Sequence, residues 1–466
     1  MSALREPTHA PGTVSTNPAT GMAFAEHAFA SDAQLEDLLD TANTGFGTWR
    51  AMPSEARAGV LRSMSAILRR RVDELAAMAT REMGKPIAQA RGEVEKCATL
   101  CDWYAERGPG LLADEKTGVE GEQAYVSYLP LGTILAVMPW NFPYWQAMRG
   151  AVPILMGGNA FLLKPAGNVV GSARLLEEAW REAGLPSGAF SVANLAREQT
   201  SRVIADNRIA AVTVTGGIAA GASIASQAAS VLKKSVLELG GSDPFIILAD
   251  ADLGAAVKAA VVARFQNCGQ VCIAAKRFLV EASVAEAFTE RFVAAVRDLV
   301  VGDPFDSTTY VGPMARPDLR KELHAQIEST IAAGAKLLLG GHLIDGPGSF
   351  YAPTVLAAVR PGMAAFDAET FGPVAAITIA RDADHAVELA NQSEFGLSGN
   401  LWTEDRAKGR RLARQMNTGG VFINGFSVSD PRVPIGGVKK SGYGRELSHF
   451  GLREFLNAQT VWIDKR

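Results

Sequence analysis

Short apolar runs alternate with helical patterns over most of the chain. Before residue 110 the apolar residues recur every three or four positions and predict three long helices, at 33–50, 54–82 and 86–108. From residue 132 the runs become continuous and predict strands at 134–138, 160–163, 190–192, 211–214 and 235–237. Helices are predicted between them at 145–155, 171–182 and 218–230. This alternation is typical of a parallel sheet covered on both faces, so it predicts a Rossmann-like, doubly wound domain that binds a nucleotide.

A second alternating series begins near residue 250 and predicts another α/β domain. Its helices are expected at 251–266, 283–300, 317–334, 382–391 and 405–416. Its strands are expected at 277–280, 336–339, 374–379 and 420–424. The segment 119–131 alternates like a strand but has no evident partner nearby, so we interpret it as an excursion to a subunit interface. The predicted domains are 1–118 with 132–239 for the nucleotide and 240–430 for the second domain, with oligomerisation segments at 119–131 and 446–466.

The composition is that of an ordinary globular protein. The chain has 466 residues, of which 48% are hydrophobic and 20% charged, and a net charge of -3. That charge gives no electrostatic basis for binding nucleic acid or an anionic membrane, and no apolar run approaches the ~18 residues that span a bilayer. The first dozen residues lack the apolar core of a secretory signal, so we expect a cytoplasmic protein.

The four cysteines form two C-x3-C pairs, Cys97 with Cys101 and Cys268 with Cys272. Four cysteines in so long a chain do not make a disulfide scaffold. Four zinc ligands are an alternative, but structural zinc sites use tighter knuckles, and Cys97 and Cys101 fall four residues apart in a predicted helix, where packing explains them. We therefore predict no metal site.

Cys272 is the strongest candidate for chemistry among the four. Its neighbours Gly269, Gln270 and Ala274 are small or polar, so a substrate could approach its thiol. The alternative is a small buried apolar side chain, which is the commoner fate of a free cysteine. Cys268 is interpreted as packing, or as a partner that could oxidise with Cys272.

Polar residues follow several predicted strands, where open α/β sheets place their sites. Asn141 lies in the stiff run Pro139 to Pro143 and could hold an oxyanion, or simply form a turn. Lys164 could meet a ribose or phosphate, and the turn at 215–217 could present backbone N–H groups to a pyrophosphate, although a glycine turn alone is weak evidence. Glu238 could serve as a general base or be a solvated strand end.

Taken together, these motifs resemble the aldehyde dehydrogenase superfamily over nearly the whole chain, and most of all its bacterial succinate semialdehyde dehydrogenases. The matching runs stand in that superfamily's order: P-W-N-F-P with Asn141, K-P-A with Lys164, E-L-G-G with Glu238, G-Q-x-C with Cys272, E-x-F-G-P with Glu369 and Phe371, and P-x-G-G-x-K-x-S-G-x-G-R-E at 434–446. The resemblance implies the aldehyde dehydrogenase fold, with 240–430 as its catalytic domain and a homodimer or homotetramer as its assembly.

The resemblance also implies roles for the quoted residues. Cys272 would attack the aldehyde carbon, the Asn141 side chain and the Cys272 N–H would hold the oxyanion, and Glu238 would activate the water that releases the acid. The cofactor would be NAD or NADP. Its binding residues are expected to be Trp140, Lys164, Ala166, Gly167, Gly216, Gly217, Glu369 and Phe371.

Several positions depart from the family pattern. Gly167 stands where many members that prefer NAD carry a glutamate against a 2'-phosphate, which favours NADP or dual use. Gly217 replaces a serine that contacts phosphate. Arg149 matches an arginine that holds the substrate carboxylate in succinate semialdehyde dehydrogenases, and Gln266 replaces the second one, which would weaken the clamp or widen the substrate range. Ser429 is a third expected substrate contact.

Two other functions remain as alternatives at this point. A broader aldehyde dehydrogenase would oxidise other semialdehydes or aliphatic aldehydes with the same residues. A thiol hydrolase would need a base for Cys272, and no histidine lies near it in sequence, whereas Glu238 is available. The third class is a binding or structural protein with a dead site, or one that holds zinc on the four cysteines.

Overall fold

The computed structural model describes residues 12–119 and 123–464, and within them the chain forms 18 strands and 15 α-helices. The strands are β1 Gly12–Thr16, β2 Ala23–Ala28, β3 Glu115–Lys116, β4 Ala124–Pro130, β5 Thr133–Met138, β6 Ala160–Pro165, β7 Phe190–Val192, β8 Ile209–Thr215, β9 Lys234–Glu238, β10 Asp243–Ile247, β11 Ala275–Glu281, β12 Lys336–Leu339, β13 Thr354–Ala357, β14 Val374–Ala380, β15 Gly399–Trp402, β16 Val421–Ile423, β17 Gly442–Tyr443 and β18 Leu456–Trp462. The helices are α1 Asp32–Arg50, α2 Ser54–Arg70, α3 Val72–Met83, α4 Ile87–Leu111, α5 Trp145–Met156, α6 Val170–Glu182, α7 Arg197–Ala205, α8 Ile218–Ser230, α9 Leu253–Phe265, α10 Ala285–Arg297, α11 Pro317–Ala332, α12 Ala364–Asp367, α13 Ala383–Asn391, α14 Arg406–Ala413 and α15 Ser448–Glu454.

The first sheet is doubly wound. Its order is β17-β9-β8-β5-β6-β7, and β5 to β9 run parallel. Successive residues of β5 point to opposite faces, so Ile134 packs into the core formed with α4 and α5, while Leu135 packs into the core with α1, α7 and α8. The chain leaves β5 toward β6 and later returns to the other side of β5 with β8, which makes the β5–β8 boundary a topological switch point.

The second sheet has seven strands in the order β12-β13-β14-β11-β10-β15-β16. All neighbours are parallel except β12 and β13. The sequence prediction missed β10, β13 and β15, which are only four or five residues long and contain Pro, Thr, Gly or Asn among their apolar positions. These strands lie inside the sheet, where the pairing of neighbours outweighs a weak local pattern.

The helix expected at 54–82 is two helices, α2 and α3, which meet at Arg71. Arg71 adopts φ -97° and ψ 15°, which turns the chain without any glycine or proline. Its guanidinium contacts Glu74 in α3 and Glu178 in α6. The break is therefore held by contacts distant in sequence, which no local pattern predicts.

The excursion at 119–131 finds its partner at the far end of the chain. Strand β4 pairs antiparallel with β18 over seven residue pairs, from Leu456 opposite Pro130 to Trp462 opposite Ala124, and β3 lies on the other side of β4. Residues 120–122 of the predicted segment lie outside the described residues. The predicted domain limits and oligomerisation roles stay predictions, although every strand of the second sheet falls between residues 243 and 423.

The tail of the chain returns to the first sheet. After β16 it passes through a 3-10 turn at Lys439–Ser441, and β17 then pairs antiparallel with the end of β9, with Gly442 opposite Glu238. This return brings Glu446 next to Arg149 on α5. The tail motif therefore contributes to the same edge of the sheet as β5, β8 and β9.

Candidate active site

Four neighbouring strands of the first sheet end beside one another. The register places Val137 of β5 opposite both Lys164 of β6 and Val214 of β8, and Thr215 opposite Glu238 of β9. A cavity of about 460 Å³ opens at these ends, on the switch point. The residues predicted for catalysis and for the cofactor that line it are Trp140, Asn141, Gly216, Gly217, Glu238, Cys272, Glu369 and Phe371.

The turn before Cys272 has an unusual backbone. Asn267, Cys268 and Gly269 all have left-handed φ values, of 54°, 55° and 68°. Asparagine and glycine tolerate this conformation, but Cys268 does not favour it, so the surrounding contacts must hold the turn. At Gly269 a Cβ would clash with the carbonyl oxygen of Gly372. The turn is therefore packed directly against the segment that carries Glu369 and Phe371.

Arg264, at the end of α9, stabilises this turn through hydrogen bonds from its buried side chain. Its side chain is fully buried and donates to the carbonyl oxygens of Gly269, Thr370, Gly372 and Val374. Burial lowers the pKa of the guanidinium to about 9. No carboxylate among the described residues pairs with Arg264, and its four carbonyl acceptors join the turn at 267–272, the nucleophile turn, to the loop before β14.

Amide side chains connect the turn to the loop after β5. The Asn267 Nδ2 donates to the Asn141 carbonyl at 2.7 Å, and the Asn141 Nδ2 donates to the Gln270 carbonyl at 3.0 Å. Asn141 is 3% exposed. A carboxamide nitrogen carries two hydrogens, so this bond fixes the side chain and leaves one hydrogen to hold an oxyanion beside Cys272.

Cys272 is half-buried, whereas Cys97, Cys101 and Cys268 are buried. Burial raises the pKa of its thiol, while the nearby cations of Arg149 and Lys276 act in the opposite direction. Its backbone N–H has no acceptor among the described residues. The thiol and N–H are thus both available where the cavity opens.

Glu238 is the other titratable group of this cavity. It is 2% exposed, and its Oε1 has no hydrogen-bond partner in the described part of the chain. Burial raises the pKa of Glu238, Arg149 lowers it and the Glu446 carboxylate raises it, with a net pKa of about 8. A carboxyl with a pKa near neutrality and an unengaged oxygen suits a general base.

Arg149 lies behind Glu238 rather than in the lining of the cavity. Its Nε forms an ion pair with Glu446, and its Nη2 lies 3.8 Å from a Glu238 oxygen and donates to Thr215 Oγ1 at 3.4 Å. The side chain is 2% exposed. The Arg149 guanidinium is thus already paired with the carboxylates of Glu446 and Glu238. Its role in binding the substrate carboxylate stays a prediction.

Glu369 reaches the cavity from the second sheet. Its Oε1 accepts from the Gly241 N–H at 3.1 Å and forms an ion pair with buried Lys276 at 3.1 Å. At Gly240 a Cβ would clash with Glu369 Oε2, so the first glycine of E-L-G-G makes room for this carboxylate. Lys276 also donates to the carbonyls of Val271 and Cys272, which links Glu369 to the nucleophile turn.

Five of the eight residues predicted to hold a cofactor line the cavity: Trp140, Gly216, Gly217, Glu369 and Phe371. The rings of Trp140 and Phe371 meet edge to face, with centroids 5.8 Å apart. Gly217 is the N-cap of the 13-residue helix α8, and no atom lies within 4 Å of a Cβ built at Gly216 or Gly217. Open space above unpaired N–H groups at a helix N-terminus fits a pyrophosphate.

Lys164 near the end of β6 and Ala166 and Gly167 just after it do not line this cavity. Lys164 donates to the Pro165 carbonyl at 3.2 Å, and burial lowers its pKa. A Cβ at Gly167 would lie 2.6 Å from Cγ2 of Thr13 in β1, so the N-terminal hairpin packs against this position. Gly167 presents no carboxylate to a 2'-phosphate, and a side chain at this position would have to displace Thr13.

The other two predicted substrate residues differ in their surroundings. Gln266 starts the 3-10 turn after α9 and is half-buried, outside the lining of the large cavity. Ser429 is 7% exposed and accepts a 2.8 Å hydrogen bond from the Lys96 Nζ. The surroundings of Gln266 and Ser429 do not test the substrate role that the sequence suggests for them.

The described residues contain no group of three or more His, Cys, Asp or Glu that could hold a metal, so the zinc alternative gains no support. Among the described helices, none has both the length and the apolar content that crossing a bilayer requires. No histidine of the described chain lines the large cavity, so a thiol hydrolase lacks a base other than Glu238.

Sequence reasoning missed four charged residues of the site: Lys96, Arg264, Lys276 and Glu446. Arg264 and Lys96 each fall on the inward face of a helix. A charged residue at an inward position is unusual, and this pattern in the sequence could have identified both. Lys276 follows Cys272 by four residues, which carries no recognisable pattern. Glu446 stands in the quoted tail motif, but its pairing with Arg149 depends on the return of the chain to β9.

Comparisons with known proteins agree with this geometry. The model of the aldehyde dehydrogenase family matches residues 6–461. The chain is 58% identical over 458 residues to a succinate semialdehyde dehydrogenase of Escherichia coli K12 named as using NAD(P)+, with 98% of each chain covered. It is 49% identical over 447 residues to a probable NADP+ succinate-semialdehyde dehydrogenase of Synechocystis, with 96% of this chain and 98% of the relative covered.

Solved structures show the same fold. The succinic semialdehyde dehydrogenase of Streptococcus pyogenes, solved with NADP+, superposes with a TM-score of 0.95 at 37% identity, over 97% of this chain and 100% of that chain. A succinate-semialdehyde dehydrogenase of Burkholderia pseudomallei gives 0.92 at 32% identity, over 98% and 99% of the chains. The predicted α/β fold is thus confirmed, and the chain belongs to the aldehyde dehydrogenase family.

Proposed function

We propose that this protein oxidises succinate semialdehyde to succinate with NADP+ or NAD+ through a covalent adduct on Cys272. The observation that carries the proposal is the meeting of three groups in one cavity. An accessible thiol on Cys272, a fixed amide on Asn141 and a buried carboxyl on Glu238 come from three separate parts of the chain. They supply the nucleophile, the oxyanion donor and the base that aldehyde oxidation needs.

Each of these residues would act at a different step of the oxidation. The Cys272 sulfur, having lost its proton, forms a bond to the aldehyde carbon, and the Asn141 Nδ2 and the Cys272 N–H bind the resulting oxyanion. A bound nicotinamide cofactor would supply the hydride acceptor that oxidation of this adduct to a Cys272 thioester requires. Glu238 then takes a proton from water as the water attacks the thioester, and the acid and the free thiol are released.

The outer part of the cavity would hold the cofactor. The α8 N-terminus with Gly216 and Gly217 suits the pyrophosphate, and Glu369 suits a ribose hydroxyl. Trp140 and Phe371 would pack beside the nicotinamide end. Because no carboxylate stands at Gly167 to repel a 2'-phosphate, NADP or both cofactors are proposed.

The substrate proposal rests on the named activity of the relatives and on the cations near the site. We retain Arg149, Gln266 and Ser429 as predicted substrate contacts, with Arg149 requiring a change of partners before it could bind a substrate carboxylate. A homo-oligomer and a cytoplasmic location belong to the same proposal.

The test is a spectrophotometric assay at 340 nm with purified protein. Succinate semialdehyde with NADP+ or NAD+ should give reduced cofactor, with a higher kcat/KM than butanal, which has a methyl group in place of the carboxylate. Cys272→Ala should abolish both reactions, while Cys268→Ala, a buried thiol nearby, should retain the chemistry. An active Cys272→Ala variant would refute the nucleophile, and a preference for butanal would refute the substrate.

A further inference from the structure

Lys276 is a buried cation that binds the backbone of the nucleophile turn. It is the second residue of β11, and its side chain is fully buried. A turn closed by a hydrogen bond from the Ala274 N–H to the Val271 carbonyl leads from Cys272 into this strand. The Lys276 Nζ donates to the Val271 carbonyl at 2.9 Å and to the Cys272 carbonyl. Lysine is rarely buried, so this placement calls for a specific reason.

The counterion of Lys276 is the Glu369 carboxylate. The Glu369 Oε1 lies 3.1 Å from the Lys276 Nζ, and in the described part of the chain no other carboxylate lies within ion-pair distance of that nitrogen. The carbonyls of Val271 and Cys272 take two of the three ammonium hydrogens. The charge of Lys276 is therefore fixed in position, between the nucleophile turn and Glu369.

A second acid near Lys276 is a weaker counterion. Asp243 is 1% exposed, its Oδ1 accepts from the Ser398 N–H at 3.1 Å, and its Oδ2 has no hydrogen-bond partner among the described residues. Burial raises the pKa of Asp243 and Lys276 lowers it, with a net pKa of about 8. A raised pKa favours the neutral acid, so Glu369 is the carboxylate that offsets Lys276.

Four charged groups from four parts of the chain act on the thiol of Cys272. Burial raises the pKa of this thiol, and the carboxylates of Glu238 on β9 and Glu369 before β14 raise it as well. The cations of Arg149 on α5 and Lys276 on β11 lower it. Ionisation of the thiol therefore depends on how far each cation is neutralised by its own partners.

The two cations differ in this respect. Arg149 forms an ion pair with Glu446 and lies 3.8 Å from a Glu238 oxygen, so two buried carboxylates offset its charge. Lys276 has Glu369 alone, and the same Glu369 oxygen also accepts from the Gly241 N–H at 3.1 Å. Lys276 is thus the less neutralised cation, and it is the one bonded to the peptide of the nucleophile.

We propose that Lys276 is a positioning residue for Cys272: its charge promotes the thiolate and its bond to the Cys272 carbonyl fixes the backbone of the nucleophile, while Glu369 opposes that charge. At Gly241 a Cβ would lie 2.9 Å from the same carbonyl oxygen, so the second glycine of E-L-G-G leaves room for this contact. The proposal rests on the nucleophile role proposed for Cys272.

Alkylation of the protein by iodoacetamide, without cofactor or substrate, is the test. Its rate rises with pH as the thiol loses its proton, and Cys272→Ala gives the background from the other cysteines. Lys276→Met keeps the apolar stem and removes the charge, so the midpoint should move to higher pH by on the order of one unit. Lys276→Arg should restore most of this shift. Glu369→Gln removes the opposing carboxylate, so its midpoint should move to lower pH.

Opposite shifts from two residues in contact distinguish electrostatic control from damage to the turn, which would not follow the sign of the charge removed. The double variant Lys276→Met with Glu369→Gln leaves neither partner of the ion pair unpaired. Its midpoint should lie above that of Glu369→Gln, and this comparison decides the question if Lys276→Met alone does not fold. The matched control is Lys258→Met on the exposed face of α9, whose profile should equal that of the wild type.

The aldehyde assay at 340 nm separates this proposal from the proposed function. If the wild type oxidises no aldehyde while the opposite shifts appear, the proposed function fails and the control of the thiol by Lys276 stands. If the wild type oxidises succinate semialdehyde but the midpoint of folded Lys276→Met is unchanged or lower, the role of Lys276 is overturned. A double variant with the same midpoint as Glu369→Gln would overturn it too.

Discussion

Two groups that must lose a proton to react, Cys272 and Glu238, both lie where burial favours their neutral forms. Burial raises the pKa of the thiol, and it raises the pKa of Glu238 to about 8. The cation of Arg149 lowers both pKa values, so it partly offsets the desolvation. Protonated Glu238 cannot act as a base, and its pKa is raised, so the steady-state rate should rise with pH as Glu238 loses its proton.

Glu446→Gln tests this electrostatic control. The Glu446 carboxylate raises the pKa of Glu238 and also engages Arg149, so the neutral amide should lower that pKa on both counts. The rise of kcat with pH should move toward lower pH by on the order of one unit, equivalent to ~1.4 kcal/mol. A pH profile with butanal as substrate measures it and leaves substrate charge out of the comparison.

The control for this variant is Glu454→Gln. Glu454 pairs with Lys234, accepts only a long 3.4 Å hydrogen bond from the Arg445 N–H and does not line the cavity, so its loss should leave the profile in place. A profile that stays fixed in Glu446→Gln, or moves toward higher pH, would contradict the coupling between Glu446 and Glu238.

At the scale of elements, the nucleophile turn between α9 and β11 is the most constrained piece of backbone in the site. Three consecutive left-handed residues precede Gln270. Hydrogen bonds from the side chains of Arg264, Asn141 and Asn267 stabilise the turn. Such a conformation persists only when its surroundings determine it. The turn should therefore lose both stability and geometry when a single contact is blocked.

Gly269→Ala blocks one of these contacts. It places a Cβ against the Gly372 carbonyl at a φ of 68°, so it should lower the free energy of unfolding by about 2 kcal/mol or more and reduce kcat. Urea unfolding and the 340 nm assay measure the two effects. Gly47→Ala, in the exposed part of α1 with open space around it, should instead stabilise by about 0.5–1 kcal/mol with unchanged kcat. Equal behaviour of the two variants would show that the turn is not constrained.

The sequence predicts the elements of this site better than it predicts their connections. Asn141 and Glu238 could be anticipated because polar residues after parallel strands converge at one edge of a sheet. Lys96 could not, since one lysine among the charged residues of α4 looks like a solvated position until Ser429 is brought beside it. The partner of β4 lies more than 300 residues later, and β17 depends on a return of the tail. Pairings this distant leave no local pattern.

At the scale of the whole molecule, the small sheet of β3, β4 and β18 has a long edge strand that could pair with another chain. Strand β18 has β4 on one side and no strand on the other among the described residues. Large apolar side chains are exposed there: Leu129 is 41% exposed and Trp462 57%. A seven-residue edge strand with exposed apolar groups is a place where another chain can pair.

We therefore expect the protein to be a homodimer or homotetramer that uses this sheet. The double variant Leu129→Asp with Trp462→Asp places charge on both β4 and β18, so it should lower the molar mass measured by light scattering after gel filtration. Leu232→Asp is the matched control, because Leu232 is 97% exposed on the loop after α8 and should leave the mass unchanged. Circular dichroism of each variant establishes that the subunits remain folded. A monomeric wild type, or a double variant that is folded and keeps its full mass, would contradict the assignment of 119–131 and 446–466 to the interface.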